Sequence, residues 1–347
     1  MKYKHPNQSF HRFLNSCTII LLSLVLIVII AAIAIGIRVH ITGFPQLLGN
    51  SPDNIAHIKS ASDPNEFTFV VVGDVKCGTA TLEEMLDFTQ QDNPAFAVIL
   101  GDFVEHARLI SHKLFALEMD EHAANFPILL VPGNHDISEN GHFRLQDFEN
   151  LYGASQFYFN IGKYLFVFLN DTAPCSQTGQ YLKFLDQAVS NQTEKIENTF
   201  VFMHIPPSGL NSSLMCRRLP GSEKFLQLVR KHQVNYVFAG DHHGYVKTER
   251  DGTTFIVTGG GGAKLRGKHG GFHHLVRMSV KNGMITETVI ASKRKLETSE
   301  LIERNVVVYI WPLLAKNYAS ALLTFVILGT AFWLLIISLR RRKQLLK

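Results

Sequence analysis

The chain has 347 residues, of which 46% are hydrophobic and 10% aromatic, and its formal net charge is +5. This apolar content is enough for one sizeable core and for further apolar segments outside it. Much of the positive charge lies near the two ends of the chain, so the net charge does not indicate a nucleic-acid-binding protein. No period of about 20 to 50 residues recurs, which argues against a repeat architecture.

The first predicted element is an uncharged apolar run over residues 17–37, and a second run covers residues 317–339. As helices, both are long enough to cross a bilayer core of about 30 Å. The sequence therefore predicts two membrane-spanning helices, with the lipid bilayer as a partner. A cleaved signal peptide is the alternative for the first run, although the run exceeds the usual apolar length of such peptides.

Positive charges beside the two runs predict the orientation of the chain. Lys2, Lys4 and Arg12 precede the first run, and four consecutive cations follow the second at residues 340–343. Lys and Arg beside membrane helices tend to stay in the cytoplasm. We therefore expect both termini in the cytosol and the intervening domain in the periplasm, the cell exterior or a lumen. A cytosolic nuclease conflicts with this charge bias.

Between the two runs, apolar stretches of strand length alternate with segments of helical period, as in βαβ units. In chain order the pattern predicts a strand at 67–73, a helix at 80–90, a strand at 95–101, a helix at 109–124, a strand at 127–132, a hairpin at 156–169, a helix at 180–190, a strand at 199–204, a helix at 222–232, a strand at 234–240, and hairpins at 245–258 and 274–290. These elements predict a two-sheet α/β sandwich covered by helices.

Five polar segments come at or just after predicted strands. They are Gly73-Asp74, Gly101-Asp102, Gly133-Asn134-His135-Asp136, His204 and Gly240-Asp241-His242-His243. Functional residues in open α/β sheets collect beyond the carboxyl ends of strands, so we expect these segments to meet. Carboxylates and neutral imidazoles bind hard or borderline divalent cations, which predicts a site for two ions of Mn, Fe or Zn. Taken singly, Asp74 or Asp102 could instead cap a helix, and His204 could be a core histidine.

The ordered set of motifs resembles the calcineurin-like metallophosphoesterases, the superfamily that includes the purple acid phosphatases. Residues 133–136 read GNHD, Gly101-Asp102 with Glu105 fits the block GDxx(D/E), and His204 lies in a typical histidine block. The resemblance covers about residues 67–290. It implies a two-sheet α/β/β/α sandwich, two divalent metal ions and phosphate esters as substrates.

The resemblance also implies a role for each matching residue. It places Asp74 and His243 on the first ion, Asn134 and His204 on the second, and Asp102 between the two. His135 would be the catalytic residue that protonates the leaving alkoxide or donates a hydrogen bond to the phosphoryl group. Two cations suit this chemistry because they neutralise the charge of a phosphate ester.

The sequence departs from the family pattern at two positions. The usual Asp-x-His block ends in Lys76, and a protonated lysine has no lone pair for a metal ion. The first ion thereby loses a customary donor, for which Glu105 is a candidate replacement. The usual Gly-His-x-His block has Asp241 in place of its first histidine, and this carboxylate can still coordinate the second ion.

Three residues are candidates for substrate binding. Lys76 comes two residues after Asp74 and could reach the substrate phosphate. Arg266 and His269 belong to the glycine-rich segment 259–271, which lacks the spacing of a nucleotide-binding loop and is interpreted as a rim of the site.

The predicted organisation is a cytosolic tail at 1–16, a transmembrane helix at 17–37, a linker at 38–66, a metallophosphoesterase domain at 67–292, a linker at 293–316, a transmembrane helix at 317–339 and a basic cytosolic tail at 340–347. We expect a membrane-anchored phosphoesterase that hydrolyses phosphomonoesters or phosphodiesters, including lipid-linked or surface-linked ones. The alternative is a metal-binding, membrane-tethered interaction or sensing module that has lost turnover, as Lys76 suggests. Cys175 and Cys216 could form a disulfide in an oxidising compartment or remain free thiols.

Overall fold

The computed structural model describes residues 7–76, 78–122, 124–172, 178–211, 213–214, 216–266, 271–293, 302, 305–310 and 318–344. The chain divides into two compact units, one formed by Met1–Thr42 with Ile302–Lys347 and the other by Gly43–Leu301. The motifs of the predicted site all belong to the second unit.

The first unit contains the two apolar runs of the sequence. Helix α1 (Asn7–Ile41) includes the first run, and helix α8 (Tyr318–Gln344) covers the second run from Tyr318 onward; the two helices contact each other. A π-helical turn, Val306–Ile310, precedes α8. In the part of the chain that the structure describes, no helix combines the length and the apolar character needed to cross a membrane, so the structure does not support the two predicted membrane spans.

The second unit is built on two sheets. The first sheet has the spatial order β11-β10-β1-β2-β3 and contains β1 (Glu66–Val72), β2 (Phe96–Ile99), β3 (Ile128–Leu130), β10 (His274–Lys281) and β11 (Met284–Ala291). The second sheet has the order β4-β5-β6-β7-β9-β8 and contains β4 (Phe157–Ile161), β5 (Tyr164–Phe168), β6 (Asn198–Phe202), β7 (Tyr236–Ala239), β8 (Tyr245–Arg250) and β9 (Thr253–Thr258). Strands β1, β2 and β3 run parallel, as do β5, β6, β7 and β9. The parallel strands therefore end together within each sheet.

Helices cover the outer faces of both sheets. The exception is α2 (Pro52–Ala61), whose buried Ile58 packs with the residues between the two sheets. The covering helices are α3 (Thr79–Gln90), α4 (Leu109–His122), α5 (Leu145–Tyr152), α6 (Gln180–Ser190) and α7 (Ser222–Lys231). Apolar residues of α3, α4 and α5 pack against the first sheet in one buried cluster, and those of α6 and α7 pack against the second sheet in another. The two-sheet α/β sandwich predicted from the sequence is confirmed.

Phenylalanines join the two sheets. Phe69 and Phe96 of the first sheet are buried against Phe166 and Phe200 of the second, and the ring centroids of Phe69 and Phe166 lie 5.4 Å apart in an edge-to-face arrangement. Each buried side chain of this kind contributes about 1.5–3 kcal/mol through removal of apolar surface from water. This rigid interface fixes the strand ends from which the polar segments project.

The three predicted hairpins are also confirmed, as β4-β5, β8-β9 and β10-β11. In two of them both turn residues have positive φ, with 52° and 82° at Asp251 and Gly252 and 50° and 83° at Asn282 and Gly283. Such turns match the right-handed twist of the flanking strands. The Asp-Gly and Asn-Gly pairs therefore set the register of these hairpins.

Residues before the first strand also belong to the second unit. Asn50 ties this segment to β3, since its side-chain amide donates to the Leu130 carbonyl at 2.8 Å and accepts from the Leu130 N–H at 2.8 Å. Ser51 then caps α2 by accepting from the Asn54 N–H at 3.1 Å, with Pro52 in the first turn.

Candidate metal centre

The polar segments that follow β1, β2, β3, β6 and β7 meet at the carboxyl ends of these strands. The structure brings together Asp74, Asp102, Asn134, His204, Asp241 and His243, with Lys76 and His135 beside them. Residues far apart in the sequence therefore line one site, where carboxylates and imidazoles from different strands face each other.

The backbone at this site is unusual. Asp74, Lys76, Asp102 and Asp241 all have positive φ, at 54°, 50°, 52° and 59°. A non-glycine residue in this region costs of order 1–3 kcal/mol and persists only where the surrounding structure holds it. The Lys76 N–H donates to the Asp102 carbonyl at 2.7 Å, so the loops after β1 and β2 hold each other in this conformation.

The first donor group consists of Asp74, Asp102 and His243. All three are buried, and each offers a ligand atom within 4.8 Å of those of the other two. His243 Nδ1 donates to the Lys264 carbonyl at 2.6 Å, which leaves its Nε2 lone pair facing Asp74 Oδ1 at 3.4 Å. This group could hold a metal ion.

The carboxylate of Asp74 points to the same conclusion. Its Oδ2 accepts from the Asp241 N–H at 2.9 Å, whereas its buried Oδ1 has no hydrogen-bond partner among the described residues. Burial raises the pKa of Asp74 above its usual range. A cation beside Oδ1 would satisfy the unpartnered oxygen and favour the ionised form, so the residues present fit a metal ion.

A second donor group surrounds His204, whose side chain is fully buried. His204 Nδ1 donates to the Leu100 carbonyl at 2.7 Å, and its Nε2 lies 3.2 Å from Asn134 Oδ1, 3.4 Å from Asp102 Oδ1 and 3.9 Å from Asp241 Oδ1. Burial alone would lower the pKa of His204, but the charges of Asp102, Asp74 and Asp241 raise it to about 10. Such surroundings favour a positive charge at this position, which a bound cation would also supply.

Asp102 is shared by the two donor groups. Its Oδ1 faces His204 Nε2 and accepts from the His135 N–H at 2.9 Å, while its Oδ2 lies 3.6 Å from Lys76 Nζ. One carboxylate thus belongs to both possible ion sites and could serve two neighbouring divalent ions.

Lys76 has a defined place beside this carboxylate. Its side chain is 8% exposed, and Nζ lies 3.2 Å from His135 Nε2. His135 in turn donates from Nδ1 to the Glu105 carbonyl at 2.7 Å, so Nε2 is the ring nitrogen available to a substrate. The ammonium therefore contacts Asp102 and His135, and it offers no electron pair to a metal ion.

The remaining predicted site residues lie at or beyond the edge of the site. Glu105 contacts His135 through its backbone carbonyl and does not belong to the group formed by Asp74, Asp102 and His243. Arg266 lines the cavity above the site, and His269 lies outside the described residues. Cys216 is a free, half-buried thiol, whereas Cys175 is likewise not described.

A cavity of about 410 Å³ opens over the two donor groups. It is lined by Lys76, Asp102, Asn134, His135, Cys216, Arg217, Asp241, His243 and Arg266. Arg217 was missed by the sequence analysis because it belongs to no motif. The pair Arg217-Arg218 in a loop was the only signal that could have drawn attention to it.

Asp136, the last residue of the GNHD segment, holds the loops together. Its carboxylate accepts from the N–H groups of Asp102 and Gly133 at 2.7 Å, Phe103 at 3.0 Å and Val104 at 3.1 Å. A side chain at Gly133 would collide with the backbone and the carboxylate of Asp102, so only glycine allows this close approach. Asp136 therefore positions the loop that carries the Asp102 carboxylate.

Asp171 supports the loop after β6 in a similar way. Its carboxylate is buried and accepts from the His204 N–H at 2.9 Å and from the Ile205 N–H at 2.6 Å. Burial raises the pKa of Asp171 to about 6, against the lowering effect of His204 and these hydrogen bonds. The sequence analysis did not single out this residue, since no motif includes it.

Behind the GNHD segment, His112 is buried in the first sheet's outer core. Its Nε2 lies 2.9 Å from the Asp136 carbonyl, its Nδ1 lies 3.1 Å from the Tyr152 hydroxyl, and its ring stacks on Phe143. The contact with the Asp136 carbonyl requires a proton on Nε2, so a neutral ring accepts from Tyr152 at Nδ1. Burial lowers the pKa of His112 from 6.5 to about 3.

This burial predicts a stability that depends on pH. Above pH 6.5 His112 is neutral in both the folded and the unfolded chain, but between pH 6.5 and 3 only the unfolded chain takes up a proton. The free energy of unfolding should therefore fall by about 1.4 kcal/mol per pH unit from this residue as the pH is lowered. The slope of the free energy of unfolding against pH is measured by denaturant titrations at several pH values. The proteins compared are the wild type, His112→Gln and the exposed-site control His57→Gln.

We expect the slope to decrease in His112→Gln, which can still donate to the Asp136 carbonyl, and to persist in His57→Gln. A wild-type slope in His112→Gln would contradict the assignment of this proton uptake to His112. The comparison uses slopes, so an overall loss of stability in the variant does not obscure it.

The two-sheet sandwich with a buried Asp/Asp/His group at its strand ends defines a protein of the metallophosphoesterase type. Residues 67–245 match the family of the calcineurin-like phosphoesterases. This match covers just over half of the chain, and the protein belongs to the calcineurin-like phosphoesterase family. Members of this family are generally metal-dependent hydrolases.

Several solved structures are similar to this chain. A Plasmodium protein described as GAP50, the anchor in the inner membrane complex, is 14% identical with a TM-score of 0.52, over 70% of this chain and 95% of its own. A dimetal phosphatase from Danio rerio is 14% identical with a TM-score of 0.52, over 67% and 98%. The purple acid phosphatase PPD1 from yellow lupin is 14% identical with a TM-score of 0.49, over 69% and 55%. No curated protein matches the chain.

Proposed function

We propose that the protein is a dinuclear metal-dependent phosphoesterase that hydrolyses phosphomonoesters or phosphodiesters. The observation that carries this proposal is the position of Asp102, whose carboxylate belongs to both donor groups. A shared carboxylate holds two ions close enough to act on one phosphoryl group. Membership of the calcineurin-like phosphoesterases supports the reaction class.

In this proposal Asp74, Asp102 and His243 hold the first ion, and Asp102, Asn134, His204 and Asp241 hold the second. The mixed oxygen and nitrogen donors suit Mn, Fe or Zn. When bound, two such ions polarise the phosphoryl group and provide a nucleophile from water. Glu105 as a replacement ligand stays a prediction, since the first donor group already has three ligand atoms without it.

His135 is the proposed general acid. With its Nδ1 proton held by the Glu105 carbonyl, the ring would act as an acid in its doubly protonated form, giving its Nε2 proton to the leaving oxygen and becoming the neutral ring. Lys76 Nζ, 3.2 Å away, lies within hydrogen-bonding distance of that nitrogen. We propose that Lys76 and Arg266 also contact the substrate phosphate; the role of His269 stays a prediction.

The proposal is tested with purified full-length protein loaded with Mn²⁺, Fe²⁺ or Zn²⁺ and offered aryl phosphate monoesters and diesters. We expect turnover that is lost on chelation, restored by the added metal, and lost in Asn134→Ala. Metal-dependent turnover that persists undiminished in Asn134→Ala would contradict the assignment of the site.

A non-catalytic module is the second candidate, and one observation favours it. Lys76 Nζ lies 3.6 Å from Asp102 Oδ2, where its positive charge opposes a nearby divalent ion. If the protein is such a module, it should bind metal ions but hydrolyse none of a broad panel of phosphate esters. The variant Lys76→His distinguishes the module from the enzyme, because it supplies the histidine that customarily binds the first ion. Turnover that appears in this variant and is absent from the wild type would support the module.

Membrane anchoring and placement of the domain outside the cytosol are a separate proposal. They rest on the two uncharged apolar runs, on the flanking cations, and on exposed apolar side chains of α1 and α8 such as Leu21 and Leu323, whose exposures are 63% and 61%. We expect the chain to stay in the membrane fraction when membranes are washed at high pH. We also expect a cysteine engineered on the domain surface to be labelled by a membrane-impermeant thiol reagent added on the non-cytosolic side. Release into the soluble fraction, or labelling from the cytosolic side, would contradict it.

A further inference from the structure

We propose that Lys76, Arg217 and Arg266 form a cationic rim that selects phosphate esters carrying a second anionic group near the scissile phosphate. All three residues line the cavity above the donor groups. The inference rests on the proposed phosphoesterase function and deepens it, because it names the class of substrate. Arg217 is the residue that the catalytic machinery does not otherwise require.

The backbone of Arg217 is fixed at the site. Its N–H donates a short hydrogen bond to Asp241 Oδ2, and its Nε lies 3.9 Å from Asp241 Oδ1. The side chain is 56% exposed and lines the cavity. A guanidinium has five N–H donors in a planar fork, more than this one carboxylate oxygen can accept. Arg217 is therefore anchored at its base and can bind an anion at its tip.

The other two cations of the rim belong to different loops of the chain. Arg266 is held near the site by its backbone N–H, which donates to the His243 carbonyl at 3.0 Å, and its side chain is exposed. Lys76 is more buried and lies next to His135. The rim thus combines one deep cation with two exposed ones, so that an anion can be contacted both at the scissile group and farther out.

The charges that line the cavity explain why a substrate with a second anionic group would be preferred. Asp102 and Asp241 are the carboxylates among the lining residues, and both are proposed metal ligands. Divalent ions would neutralise these carboxylates and part of the scissile phosphate. The exposed arginines are then left to face the substrate, and a carboxylate or second phosphate matches the geometry of their guanidinium groups.

The size of the cavity agrees with a small substrate of this kind. A volume of about 410 Å³ lies within the usual range for small-molecule sites, about 300–1,000 Å³. A phosphate on a compact leaving group with one further anionic substituent would place the two charges at different depths. The deeper charge would lie over the donor groups, and the outer charge would lie beside Arg217.

The test compares two esters that differ in one charge, 4-carboxyphenyl phosphate and its neutral analogue 4-carbamoylphenyl phosphate. Phosphate release by the metal-loaded full chain gives kcat/KM for each. We expect the wild type to prefer the carboxylate by about tenfold, as one charge-assisted contact provides, and the preference to fall to nearly one in Arg217→Ala. Arg218→Ala, the adjacent arginine that does not line the cavity, should keep the wild-type preference.

Arg217→Lys should keep part of the preference, because it retains a charge without the fork. An equal effect of Arg217→Ala on both esters, or no effect on either, would overturn the inference. If the wild type hydrolyses neither these esters nor the aryl phosphate diesters, the phosphoesterase proposal fails by itself. The rim is then tested by calorimetry, which measures the affinities of 4-carboxyphenylphosphonate and 4-carbamoylphenylphosphonate for the wild type and for Arg217→Ala. Equal affinities of the two phosphonates for the wild type would overturn the inference.

Discussion

Asp102→Asn is expected to lower kcat by about 10³-fold or more and to reduce the metal content of the purified protein. The reason is the position of Asp102 in both donor groups, so that its loss weakens both proposed ion sites at once. Asparagine is chosen because it has nearly the same shape and tolerates the positive φ of 52° at this position, whereas alanine would add backbone strain.

The measurement is kcat/KM on an aryl phosphate together with elemental analysis of bound metal. Asp120→Asn, an exposed residue of α4, is the matched control and should behave as wild type. Circular dichroism and thermal unfolding of the metal-free proteins establish that Asp102→Asn is folded. Near-wild-type turnover and metal content in a folded Asp102→Asn protein would contradict the bridging role.

His135→Gln is expected to lower kcat by about 10²–10⁴-fold for substrates with poor leaving groups, because a general acid contributes a rate factor of this size. Glutamine retains an N–H near the Nε2 position but cannot transfer a proton. The bound metal should be unchanged, since His135 contacts Asp102 through its backbone N–H and is not a proposed ligand.

The dependence on the leaving group separates the two roles considered for His135. An alkyl phosphate needs protonation of its leaving oxygen, whereas 4-nitrophenyl phosphate releases a stable anion. We therefore expect a large loss for the alkyl ester and a much smaller one for the nitrophenyl ester, with His142→Gln as the exposed control. An equal loss for both esters would show that His135 donates a hydrogen bond to the phosphoryl group and is not the acid.

Much of the fold follows from local sequence patterns. The apolar runs that become β1, β2 and β3 are buried strands, and Asn282-Gly283 forms the expected tight turn. Helix α2 was not predicted, because it has few apolar residues; its signals were the cap at Ser51 and the proline that follows. The apolar runs that form α1 and α8 were correctly predicted as helical, but the membrane spans expected there are not supported by the structure.

The candidate site was predictable to the extent that its residues follow strands. Asp74 and Asp102 follow β1 and β2, which are neighbouring parallel strands. The carboxyl ends of such strands lie side by side at one edge of the sheet. The contacts of Lys76 with His135 and Asp102 were not predictable, because they depend on positive φ at Lys76 itself. The position of Arg217 could not be predicted either, since it depends on a hydrogen bond to Asp241, 24 residues away in the sequence.

The most direct test of a dinuclear centre is an anomalous-scattering map of crystals of the metal-loaded protein. We expect two cations that share the Asp102 carboxylate, one also bound by Asp74 and His243 and the other also bound by His204. A fully loaded crystal in which no cation contacts Asp102, or in which cations bind only elsewhere on the chain, would contradict it.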